Sequence, residues 1–153
     1  MKKLEAFHLV GISVRTSNQD SRAAQDIPAL WQKFMAEQTL ARIPNKVDST
    51  LYCAYTEYEG DHMKPYTALI GCKVSSLDDI PADMKGISIS SANYQHYNPK
   101  GNLSEGVVYH QWLQIWEDDL PRIYETDFEV YGEKAQDPTS AEVDIYVGIK
   151  PTN

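Results

Sequence analysis

With 153 residues, 42% hydrophobic and 24% charged, the chain suits one ordinary globular domain large enough to bury a core without metals or disulfide staples. A net charge of −8 and a pI near 4.9 repel phosphate backbones, so direct nucleic-acid binding is not expected, while cationic ligands are weakly favoured. No run approaches the roughly 20 apolar residues of a membrane span, and no signal peptide is visible, so the expected compartment is a bacterial cytoplasm.

Taken in order, residues 5–15 read as a first strand, with Gly11 marking a bulge or a close approach. Asp26 is placed to cap a helix and Pro28 to sit in its first turn, with the helix running to about Gln38. Ile27, Leu30, Trp31, Phe34 and Met35 form its core stripe. Residues 41–50 read as a loop. Residues 51–59 and 66–74 form a tyrosine-rich hairpin. Its two cysteines, Cys53 and Cys72, lack metal spacing and read as buried free thiols. Residues 75–85 connect two halves.

The pattern then restarts. Residues 86–97 read as one strand, or two short ones with a bend near Ser91. Ser104 is placed to cap a second helix whose stripe is Val108, Trp112, Ile115 and Trp116. Strands follow at 125–131 and 141–149. The order is β-α-β-β twice, which predicts an α+β fold. One antiparallel sheet would carry both main helices on one face, with a central pocket between the halves. The chain is read as a single domain over 1–153, with pseudo-repeats about 1–80 and 86–153.

Two tryptophans and two tyrosines crowd into residues 112–131 among carboxylates. Strand alternation puts Glu129 and Tyr131 on one face. An acid beside aromatic rings suits an organic cation, because the rings attract it and the carboxylate neutralises it. A solvated glutamate on an exposed sheet face is the competing reading. Tyr131 and Tyr146 share the face away from the helices if Phe128, Val130, Ile145 and Val147 face the helices. They are then surface aromatics or pocket wall. Trp112, Trp116, Trp31 and Phe34 either pack in the core or lend an edge to the cavity. Tyr52 and Tyr58 share one face of their strand and Tyr55 takes the other. The four histidines have no metal pattern, and no nucleotide-loop or nucleophile-elbow motif occurs, so no metal, cofactor or catalytic residue is assigned.

Several stretches resemble the GyrI-like small-molecule-binding domain, the effector-binding domain of multidrug-responsive bacterial transcription regulators. They include residues 7–12, 27–34, 66–74 and Ser91-Ala92-Asn93-Tyr94 with Gly101. The most specific are Asp127-Phe128-Glu129-Val130-Tyr131 and Val143-Asp144-Ile145-Tyr146-Val147. The resemblance implies a duplicated fold with an aromatic-walled pocket whose buried acid meets lipophilic cations. Glu129 is carried over as that acid. Lys73 departs from relatives that hold an acid there, and 153 residues leave no room for their DNA-binding domain.

The expected function is therefore binding of a small lipophilic, cationic molecule in a stand-alone domain. Glu129, Tyr131, Trp112, Trp116, Tyr146, Trp31, Phe34, Tyr52 and Tyr55 are the expected ligand-binding residues. A hydrolase of electrophilic small molecules, with Glu129 as general base, is the alternative. An acidic surface meeting a cytoplasmic target is a third reading.

Overall fold

The computed structural model describes residues 2–151. Its strands are β1 (Lys2–Leu4), β2 (Phe7–Thr16), β3 (Leu51–Thr56), β4 (Tyr66–Val74), β5 (Lys85–Ile89), β6 (Ala92–Tyr97), β7 (Lys100–Gly101), β8 (Thr126–Tyr131), β9 (Ala141–Glu142) and β10 (Asp144–Ile149). The α-helices are α1 (Arg22–Ala36), a single turn α2 (Thr39–Arg42) and α3 (Val107–Glu117). No helix among the described residues is long and apolar enough to cross a membrane.

Eight strands form one antiparallel sheet in the order β1-β6-β10-β8-β3-β4-β2-β5. The two β-α-β-β units are β2-α1-β3-β4 and β6-α3-β8-β10. They meet where β3 pairs with β8, with Cys53 opposite Glu129 and Ala54 opposite Phe128. Each unit is preceded by a short strand that crosses to the other: β1 pairs with β6, and β5 pairs with β2. The stretch 86–97 thus splits at Ser90-Ser91 between opposite ends of the sheet.

That exchange is possible because the sheet curls. Laid flat, eight strands would separate the edges by about 34 Å. Yet Leu4 from one edge and Ile89 from the other join a single cluster with Leu9, Leu69, Tyr94 and Phe128. This core fills the face away from the helices. On the other face, α1 packs Leu30 and Phe34 against Val10, Ile12, Cys53, Ile70 and Cys72. There α3 packs Trp112 and Ile115 against Val143, Ile145 and Val147. Both cysteines are buried free thiols.

Several local expectations are corrected. Asp26 does not cap α1. Its carboxylate accepts the Thr16 hydroxyl at 2.8 Å, and the helix begins four residues earlier, after Asp20 and Ser21 at positive φ. Pro28 therefore lies inside α1 and removes the N–H that the Ala24 carbonyl would otherwise accept. Met35 is 58% exposed rather than part of the core stripe. Ser104 is not a cap but is itself capped, its N–H donating to the Asn102 side chain at 2.9 Å. Residues 141–149 are two strands, the first pairing only with β7.

Gly11 marks a close approach. It pairs with Gly71 across β2 and β4, and a Cβ at Gly71 would lie 2.0 Å from the Val10 carbonyl oxygen. Backbone cannot swing aside as a flexible side chain can. Gly71→Ala is expected to lower stability by about 1–3 kcal/mol, read as a lower urea midpoint.

Candidate functional site

A cavity of about 390 Å³ opens on the helix-bearing face, between α1 and α3. Its floor is sheet: Tyr55 from β3, Tyr66 from β4, and Glu129 and Tyr131 from β8. One wall is α1, through Ile27, Pro28 and Trp31, and the other is α3, through Val108, Tyr109, Trp112 and Trp116. The loop between β3 and β4 supplies His62, whose ring stacks on Trp116 with centroids 5.2 Å apart.

Glu129 is only 2% exposed. Its two oxygens accept three hydrogen bonds. The Tyr55 hydroxyl and the Trp112 indole N–H donate to Oε2 at 2.7 and 2.6 Å, and the Tyr131 hydroxyl donates to Oε1 at 2.6 Å. Burial pushes the carboxyl's pKa up, while the bonds from Tyr131, Tyr55 and Trp112 pull it down, and burial prevails. The Tyr55, Tyr58 and Tyr131 phenols are driven well above their usual range by burial first and by negative neighbours second. They therefore remain protonated donors around neutral pH.

Aromatic edges fix these rings. Trp31 meets Tyr131 edge-on at 5.1 Å, and Tyr55 meets Trp112 edge-on at 5.5 Å. The walls are thus preorganised by contacts that do not involve a ligand.

Six of the nine expected residues, Glu129, Tyr131, Trp112, Trp116, Trp31 and Tyr55, line this cavity. Three do not. Phe34 is 1% exposed and lies in the core under α1. Tyr52 and Tyr146 lie on the opposite face of the sheet, packed on Phe128. The reason is register. Ile145 sits opposite Glu129 and Tyr146 opposite Phe128, so Ile145 and Val147 share the helix side with Glu129 and Tyr131. Phe128 and Val130 face away.

Tyr58, His62, Tyr66 and Arg122 also line the cavity without having been singled out as ligand-binding residues. Tyr58 was expected to share a face with Tyr52. However, Glu57 takes φ 54, which breaks the alternation and returns Tyr58 to the side of Tyr55. Arg122 gave no periodic signal, since it follows Pro121 in an irregular segment between α3 and β8.

The Cass2 model, described as an integron-associated effector binding protein, matches residues 1–149. The chain belongs to this family. Among relatives of this chain, YobU of Bacillus subtilis (strain 168), described as a transcriptional regulator, is 29% identical over 151 residues. That match covers 96% of this chain and 94% of YobU. An integron cassette protein from Vibrio cholerae is 25% identical with a TM-score of 0.74, over 97% of this chain and 94% of that one. SAV2435, solved with tetraphenylphosphonium bound, is 20% identical with a TM-score of 0.79, over 97% and 92% of the two chains. The last match shows a shared fold. The family makes this an effector-binding protein, similar in sequence to a protein described as a transcriptional regulator.

Proposed function

We propose that the chain works as one effector-binding domain in the cytoplasm, holding a lipophilic organic cation between α1 and α3 with Glu129 as its counter-charge. The observation that carries this is a carboxylate only 2% exposed at the floor of an aromatic cavity. Rings attract a cation through their faces by about 0.5–2 kcal/mol each, and a desolvated carboxylate supplies the charge that the rings lack. The tetraphenylphosphonium held by SAV2435 is a molecule of this class.

Glu129 suits a counter-ion better than a general base. Three donors already occupy its oxygens, which leaves little room for a water held for deprotonation.

Tetraphenylphosphonium and tetraphenylborate have nearly the same shape and opposite charge, so the pair tests the reading. Calorimetric titration is expected to give a dissociation constant on the order of micromolar for the phosphonium and at least about a hundredfold weaker binding for the borate. Equal binding of both, or none of the phosphonium, would overturn the proposal.

The raised pKa of Glu129 gives a second expectation. Below that value the cation meets a neutral acid, and above it a carboxylate. Affinity is therefore expected to rise as pH increases from the ordinary carboxyl value of 4.5 through the raised one. Within that window the free protein holds a proton on Glu129 that the cation displaces. Repeating the titration in buffers of different ionisation enthalpy should show proton release. Stability of the unliganded protein runs the other way. The folded pKa exceeds the unfolded one, so Glu129's contribution favours folding at low pH and is lost as pH rises through the same window.

A further inference from the structure

The cavity has a second polar pole, centred on Arg122. The Arg122 side chain is 4% exposed and that of its partner Asp127 is fully buried. Nη2 of Arg122 donates to Asp127 Oδ2 at 2.7 Å. Asp127 is otherwise satisfied: the Tyr58 hydroxyl donates to Oδ2 at 2.5 Å and the Gly148 N–H to Oδ1 at 2.7 Å. Nε and Nη1 of Arg122 have no acceptor among the described residues. Together these atoms carry three N–H groups in the guanidinium plane, with the Nε–H directed away from Nη1.

Asp127 and Glu129 stand two apart on β8 and point to the same side, so their Cα atoms are about 7 Å apart. Arg122, bonded to Asp127, is therefore displaced along the cavity from the carboxylate. His62 lines the same cavity, with Nδ1 also buried and unpaired among the described residues. Burial, and then the charge of Arg122, hold the His62 imidazole below its usual range, so it is neutral at neutral pH. Because Asp127 cancels the guanidinium charge, this pole offers unspent donors rather than net positive charge. That combination suits a neutral acceptor better than an anion, which would also face Asp127 and Glu129.

We infer that Arg122 forms an acceptor subsite, taking the carbonyl oxygen of an ester, amide or ketone on a ligand whose cationic centre lies at Glu129. This rests on the cation-binding reading and narrows it to amphiphiles that carry a carbonyl a few bonds from the cation. A carbonyl oxygen would accept from one of these unpaired N–H groups.

Two phosphonium compounds of matched length test it: heptyltriphenylphosphonium and (4-methoxycarbonylbutyl)triphenylphosphonium. Titration calorimetry on the wild-type protein is expected to favour the ester about tenfold. Arg122→Lys keeps a cation for Asp127 but removes the Nε and Nη1 donors, and the ratio of the two affinities should then fall below about threefold. Equal wild-type affinities would overturn the subsite while leaving cation binding intact. So would an ester preference that survives in Arg122→Lys. Failure of the wild type to bind either compound overturns the cation reading and the subsite with it. If Arg122→Lys does not fold, as judged by its thermal transition, the wild-type ratio alone decides: a preference for the ester supports the subsite and its absence refutes it.

Discussion

Glu129→Gln is expected to weaken tetraphenylphosphonium binding by about 1–3 kcal/mol, roughly five- to 150-fold. The substitution keeps the shape of the side chain and removes its charge. Glutamine still offers one oxygen to the Trp112 indole, whose N–H can only donate. The Tyr55 and Tyr131 hydroxyls can rotate and accept from the new amide. The floor should therefore stay assembled, and the loss should report the missing counter-charge. The same variant should lose the pH dependence of binding and the associated proton release. Unchanged affinity, with the pH profile intact, would remove Glu129 from the site.

Asp127→Ala is expected to lower unfolding free energy by about 3–5 kcal/mol. Among the described residues Asp127 is the sole side-chain acceptor of the buried Arg122 guanidinium, and it also holds the Tyr58 hydroxyl and the Gly148 N–H. Its removal leaves a buried charge and two donors uncompensated. The contrast lies in the double variant Arg122→Met with Asp127→Leu, which removes both charges and should recover most of the loss. Urea denaturation of wild type, single and double variants measures both. A single-variant loss under about 1 kcal/mol would mean that the pair is solvated after all.

The two expectations involve neighbouring carboxylates on one strand that do different work. Asp127 ties β8 to Arg122 and to β10 through Gly148, and is fully satisfied by the protein. Glu129 is held by neutral donors and has no cation of its own among the described residues. Alternation along the strand predicts only that they share a face. Which of them is paired depends on Arg122, which reaches β8 from the irregular segment after α3.

Much of the architecture follows from periodicity. Helical stripes and strand alternation place both β-α-β-β units, and the Glu129-Tyr131 face emerges from the same alternation. What periodicity does not contain is the direction in which each apolar set points. Phe128 and Val130 look equivalent to Ile145 and Val147 in sequence, yet the two sets face opposite sides. An ordinary half-buried sheet has one dry face, so apolar residues mark it. Here the curl buries both faces, and the apolar marker becomes ambiguous. Only the pairing of Ile145 with Glu129 resolves it, which moves Tyr146 out of the cavity. Tyr58 was hidden for a different reason, because a single residue at positive φ, Glu57, reverses the face of everything after it. Phe34 lies deeper than Trp31 because Leu30 and Phe34 face the sheet, while Ile27 and Trp31 line the cavity at the helix's edge.

The central claim places a cation against Glu129 between α1 and α3. A crystal structure of the protein with tetraphenylphosphonium tests it most directly. The predicted result puts the phosphorus within about 6 Å of the rings of Trp31, Tyr55, Trp112 and Tyr131, on the side of the cavity that Glu129 floors. A phosphonium bound elsewhere on the surface, with the cavity unaltered, would contradict it.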